Sequence, residues 1–142
     1  MAAGWAHEGP LAAMRVLVID DQQYVRAAIV VALRANGFDV VAFESGRLGL
    51  NALDNSAFDL AIVDIYMPDM DGVKLIKALR ERSPNLPIVA ISGVMFRTSG
   101  RNVLDVLPTA HDLSGIACLQ KPFRPKELVE AIQKAIGVAA CT

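Results

Sequence analysis

Short Val/Ile-rich runs alternate along this chain with amphipathic stretches about 10 to 15 residues long, and this alternation restricts the fold more than any single motif does. It is the pattern of βα units around a parallel sheet. Five strands are predicted: Arg15 to Ile19, Phe38 to Phe43, Phe58 to Val63, Leu86 to Ile91 and Ile116 to Gln120. Between the first two, Val25, Ile29, Ala32 and Leu33 recur at helical spacing before Gly37, so a helix is expected from Gln22 to Asn36 with a left-handed stop at the glycine. Ser45 is placed to cap a second helix over Gly46 to Asn55, weakened by Gly49. MPDMDG reads as a turn. A third helix marked by Val73, Ile76, Ala78 and Leu79 ends before Pro84, and a last helix starts near Pro125 with an apolar stripe of Leu128, Val129, Ile132 and Ile136.

The expected architecture is therefore α/β, a flavodoxin-like doubly wound sheet of five parallel strands in the order 2-1-3-4-5 with helices on both faces. A chain of 142 residues that is 54% hydrophobic makes one domain with a sizeable core. The domain is expected over residues 14–138, with 1–13 a tail or extension and 139–142 a C-terminal tail. The segment GVMFRTSGRN after Ser92 has no clear period, so a long loop and a short helix around Val103 to Leu107 are expected there.

Charge narrows the class of partner. Fourteen Lys and Arg against fifteen Asp and Glu give a net charge of −1, without the basic field that holds a phosphate backbone, so direct nucleic-acid binding is not expected. No apolar run approaches the roughly 20 residues of a membrane span, and MAAGWAHEGP lacks a signal-peptide pattern, which predicts a cytoplasmic protein. Cys118 and Cys141 have no metal-ligand spacing.

Polar residues stand at or just past the strand ends: Asp20 and Asp21, Asp64, Ser92, and Lys121 before Pro122. In a 2-1-3-4-5 sheet the first and third strands meet at the switch point, so the three acids converge. Carboxylates about 4 Å apart repel by about 4 kcal/mol at an effective dielectric near 20, and a hard divalent ion, Mg²⁺ before Ca²⁺, resolves the conflict. Ser92 and Lys121 face the same point. Metal, hydroxyl and ammonium suit a phosphoryl group whose charge spreads over three oxygens, and the central acid, Asp64, is the candidate nucleophile. Each piece has an ordinary counterpart: an Asp pair that caps a helix, a loop acid, a serine that serves the backbone, a surface lysine. The combination is what carries the reading. His111, in PTAHDLSG, reads as a surface histidine.

VIDDQ ending at Gln22, VDIYMPDMDG over Val63 to Gly72, ISG over Ile91 to Gly93 and LQKPF over Leu119 to Phe123 resemble the response-regulator receiver domains of bacterial two-component signalling, over residues of about 15 to 137. The resemblance implies Asp64 as phosphoacceptor, Mg²⁺ on Asp20, Asp21, Asp64 and the Tyr66 backbone carbonyl, phosphoryl oxygens on Ser92 and Lys121, and a cis Lys121–Pro122 bond. It implies a histidine kinase or phosphotransfer protein as donor and a protein partner for output, with phosphorylation-dependent homodimerisation left open. Two departures stand out. Cys118 occupies the switch position where receivers commonly carry an aromatic residue, and the stretch from Ser92 to Lys121 is several residues longer than in compact receivers. Met95, Phe96 and Arg97 are candidates for a partner surface there, with core packing the ordinary alternative for the first two. Tyr66 and Val94 flank the hydrolytic approach by the same resemblance, which predicts slow self-dephosphorylation. Only VAACT follows Gly137, which favours a stand-alone receiver over a fragment of a hybrid kinase or larger regulator. The rival of another class is a small Mg²⁺-dependent aspartyl-phosphate phosphohydrolase. It needs an acid two residues past the nucleophile, where this chain has Tyr66, so a signalling acceptor is expected instead of an enzyme.

Overall fold

The computed structural model describes residues 14–93 and 116–141, with side chains described through residue 137. The chain runs β1 (Arg15–Ile19), α1 (Gln23–Ala35), β2 (Asp39–Phe43), α2 (Gly46–Asn55), β3 (Leu60–Asp64), β4 (Tyr66–Met67), β5 (Met70–Asp71), α3 (Gly72–Arg82), β6 (Ile88–Ser92), β7 (Ile116–Gln120) and α4 (Pro125–Cys141). Five of the strands form one parallel sheet in the order β2-β1-β3-β6-β7, the expected 2-1-3-4-5 once the short β4–β5 hairpin is set aside.

A strand in the middle of such a sheet is covered on both faces, which is why β1, β3 and β6 are apolar almost throughout. Alternate residues then feed two separate cores. Val16, Val18, Leu60, Ile62, Val89 and Ile91 pack with Ile29 and Leu33 of α1 and Leu128 and Ile132 of α4. Leu17, Ile19, Ala61, Val63, Ile88 and Ala90 pack with Leu50 of α2 and Leu75, Ile76 and Leu79 of α3. At Gly37 the backbone takes φ 89°, and its N–H bonds the Arg34 carbonyl, so α1 stops where the glycine predicted. Ser45 caps α2 by accepting from the Leu48 N–H at 3.2 Å. The helix runs through Gly49 without a break.

Several boundaries differ from the sequence expectation, for local reasons. β3 begins at Leu60 because the Asp59 carboxylate takes the Arg15 N–H at 2.9 Å, while buried Phe58 lies under the Arg15 guanidinium, 4.7 Å from its ring centre. Pro87 has no N–H to give a ladder, so β6 starts at Ile88 and reaches Ser92. Asp64 and Ser92 are thus the last residues of strands. Phe38 precedes β2 because its N–H still bonds the Leu33 carbonyl of α1. The MPDMDG turn is built on an antiparallel pair, Tyr66 with Asp71 and Met67 with Met70. The last helix continues to Cys141, so residues 139–141 are helical where a tail was expected. The expected short helix near 103–107, together with Val94, Met95, Phe96, Arg97 and His111, lies outside the described residues. Among the described residues no helix is long and apolar enough to cross a membrane.

Candidate functional site

Ile19 pairs with Val63, so Asp20 leaves β1 level with Asp64 at the end of β3, and Asp64 itself pairs with Ile91 one residue before Ser92. The sheet register alone therefore brings β1, β3 and β6 to one carboxyl edge. On the far side of β6, Ser92 pairs with Gln120, and the Lys121 N–H donates to the Ser92 carbonyl at 2.8 Å, which carries the lysine past the edge toward the acids. The Lys121–Pro122 bond is cis, as the resemblance implied.

Asp20, Asp64 and Ser92 are buried, at 1%, 3% and 0% exposure, whereas Asp21 is exposed. One carboxylate oxygen from each of Asp20, Asp21 and Asp64 lies within 4.8 Å of the others. Lys121 Nζ sits 3.0 Å from Asp20 Oδ2 and 3.0 Å from Asp64 Oδ2. The Asp64 contact is a hydrogen bond. The Asp20 contact has the distance of an ion pair but not the angle, and Asp20 Oδ2 has no hydrogen-bond donor. The other oxygens are fixed by backbone: Asp20 Oδ1 accepts from the Gln22 N–H at 2.8 Å, and Asp64 Oδ1 from the Tyr66 N–H at 2.9 Å. Asp20 thus holds the N–H of Gln22, the residue before α1, which itself has no side-chain cap, while its second oxygen stays directed at the cluster.

Two buried anions facing one ammonium leave a negative charge uncompensated. Burial pushes the Asp64 carboxyl above its ordinary value; the Tyr66 N–H and the Lys121 hydrogen bond pull it down without cancelling burial, and the Asp20 charge adds to the rise. For Lys121, burial works against the ammonium as the largest single influence, yet the hydrogen bond to Asp64 and the close carboxylate charges of Asp20 and Asp64 together outweigh it and hold its pKa above the ordinary value.

A hard divalent ion fits these residues. The donors are all carboxylate oxygens gathered within 4.8 Å of one another, one of them buried without a hydrogen-bond donor, which is the chemistry a hard oxygen-seeking cation would take.

Of the other predicted site residues, Tyr66 contributes its N–H to Asp64 while its side chain is 47% exposed. Cys118 stands apart from the acids: it pairs with Ala90 in the middle of the edge strand β7, alternates with Ala117 and Leu119 that join the α4 core, and is exposed. Packing around it still pushes the thiol pKa up, against the pull of Lys134. Four further residues support the site. Gln22 Oε1 accepts from Lys121 Nζ at 2.7 Å, and Arg26 Nη1 donates to the Asp20 carbonyl at 2.8 Å. Asp71 caps α3 through the Val73 N–H at 2.7 Å, a role legible in an Asp-Gly before an apolar-periodic run. Asp69 ties the same turn to the start of α2, accepting from the Gly46 and Arg47 N–H groups, both at 3.3 Å. No local pattern signals that contact, because its partners are 22 and 23 residues away.

The response regulator receiver domain family matches residues 16–133. A probable transcriptional regulatory protein of Picosynechococcus sp. is 35% identical over 122 residues, covering 81% of this chain and 46% of that protein. The response regulator receiver protein CpdR of Brucella abortus is 32% identical over 125 residues, 88% of this chain and 98% of its own length. The chain spans less than half the length of several curated relatives it matches. Among solved structures, a response regulator receiver protein from Sinorhizobium medicae superposes with a TM-score of 0.72 at 28% identity, over 92% of this chain and 99% of that one.

Proposed function

This chain belongs to the response regulator receiver family, and from that membership we propose that Asp64 accepts a phosphoryl group from a phosphohistidine on a histidine kinase or phosphotransfer protein. The observation that carries the reading is Lys121 Nζ poised 3.0 Å from two buried carboxylates at the carboxyl edge of the sheet. A carboxylate oxygen of Asp64 attacks phosphorus, the P–O bond forms as the donor's P–N bond breaks, and the electron pair returns to the imidazole nitrogen. The Tyr66 N–H holds the Asp64 carboxylate in place for the attack. Mg²⁺ held by Asp20, Asp21, Asp64 and the Tyr66 carbonyl supplies, when bound, charge neutralisation for the acids and the transferring oxygens. Lys121 and Ser92 then take phosphoryl oxygens, and these new contacts bias a pre-existing equilibrium between two shapes.

In this reading the chain is a stoichiometric acceptor that signals to a protein partner, not a turnover enzyme. The position two residues beyond Asp64, where a phosphohydrolase of this type places its acid, is the half-exposed Tyr66. Output runs through the stretch from Gly93 to Cys118 without an aromatic switch at Cys118. Incubation with acetyl phosphate and Mg²⁺, followed by intact mass, is expected to give one added phosphoryl group, absent in Asp64→Asn and in EDTA. An unchanged wild-type mass, or repeated turnover of phosphate esters, overturns the proposal.

A further inference from the structure

Lys121 Nζ has three oxygens around it: it donates hydrogen bonds to Gln22 Oε1 at 2.7 Å and Asp64 Oδ2 at 3.0 Å, and Asp20 Oδ2 lies at ion-pair distance, 3.0 Å. The shortest of the three contacts goes to the neutral one. Gln22 is also anchored where it stands, because its N–H bonds Asp20 Oδ1 at 2.8 Å and its carbonyl takes the Arg26 N–H at 3.0 Å as α1 begins. Its side chain therefore reaches the lysine from a fixed point at the rim of the acid cluster.

We propose that Gln22 is a positioning residue for Lys121, holding the ammonium over Asp64 while the charges beneath it change. The proposal rests on Asp64 being the phosphoacceptor. Both carboxylates beside Lys121 Nζ are altered by that reaction: Asp64 becomes an acyl phosphate, and Asp20 is shared with a divalent ion. Both changes weaken the pull of the carboxylates on the lysine. The amide oxygen of Gln22 keeps the same charge throughout, so it is the partner that still directs Lys121 toward a phosphoryl oxygen. An apolar side chain at position 22 leaves the ammonium free to turn into solvent, which lies close because Gln22 is itself exposed.

Beryllofluoride, which stands in for the phosphoryl group on a carboxylate, gives the test. Titrated into the full chain at saturating Mg²⁺ and followed by amide chemical shifts, it is expected to bind Gln22→Met and Gln22→Ala about three- to tenfold more weakly than wild type, the worth of one partly exposed hydrogen bond. Affinity for Mg²⁺ alone and the urea midpoint should stay within twofold and near wild type respectively, which a merely structural role for Gln22 would not allow. Unchanged or tighter beryllofluoride binding in both variants, or a parallel loss of Mg²⁺ affinity, overturns the role of Gln22. Failure of the wild-type protein to bind beryllofluoride overturns the acceptor assignment itself and this proposal with it.

Discussion

Asp64→Asn should make the fold more stable in the absence of divalent metal, by about 2 kcal/mol at neutral pH. At an effective dielectric near 20, the Lys121 contact at 3.0 Å attracts Asp64 by roughly 5.5 kcal/mol, and Asp20 repels it by at least about 3.5 kcal/mol across a separation within 4.8 Å. Neutralising Asp64 thus loses about 2 kcal/mol of pairwise attraction. An asparagine cannot accept from both the Tyr66 N–H and Lys121 as the carboxylate does, which costs about 1 kcal/mol more. Against this stands the cost of holding an ionised carboxylate at 3% exposure, several kcal/mol, here about 5. The raised pKa of Asp64, led by burial, gives the same sign, since it means that folding disfavours the charged form. The pH dependence follows. With a folded pKa above the unfolded 3.8, the wild type carries its full deficit above the folded pKa and loses it as pH falls through that value toward 3.8. The advantage of Asp64→Asn should therefore be largest at neutral pH and shrink on acidification. It should shrink again with Mg²⁺, which stabilises the wild type by about 2.7 kcal/mol at a hundred times its Kd and the variant by less. Urea unfolding in EDTA at pH 7, repeated near pH 4 and with Mg²⁺, measures all three. A variant less stable than wild type in EDTA at pH 7 would refute the account of the site as an uncompensated anion cluster.

Other expectations follow from single residues. Gly72→Ala places a Cβ 2.5 Å from the Ile65 carbonyl oxygen, so the turn between β3 and α3 must shift, at about 1–3 kcal/mol in urea unfolding. Lys121, with a folded pKa above 10.5, contributes stability that is complete below 10.5 and lost as pH rises through the folded value, so Lys121→Met should remove an alkaline limb from the stability profile above pH 10. In a Cys141→Ser background, Cys118 should be alkylated by iodoacetamide several-fold more slowly than free cysteine at pH 8, because its raised pKa leaves less thiolate; intact mass against time reads the rate.

The strand and helix types were legible because each element's apolar period matches the surface it buries: Leu17 and Ile19 feed one core and Val16 and Val18 the other, a split any two-faced strand imposes. The boundaries were less legible where a side chain or a proline replaces a ladder bond. Asp59 intercepts the Arg15 N–H, and Pro87 offers none. At the site, Asp20, Asp21, Asp64, Ser92 and Lys121 could be named in advance since each ends a strand run, whereas Gln22, Arg26 and Asp69 act through partners that no local pattern announces.

By itself, then, the sequence determined a doubly wound sheet with its acids at the carboxyl edge, because hydrophobic period and strand order are local properties that add up along the chain. Only the tertiary structure decided how the charges are shared. The position of Lys121 Nζ between Asp20 and Asp64, its bond to Gln22 at the exposed rim and the burial that lifts the Asp64 pKa all depend on residues up to 99 positions apart meeting at the edge of the sheet. In such a place, an ångström of separation and the count of opposing charges set the energy, and neither can be read from spacing alone.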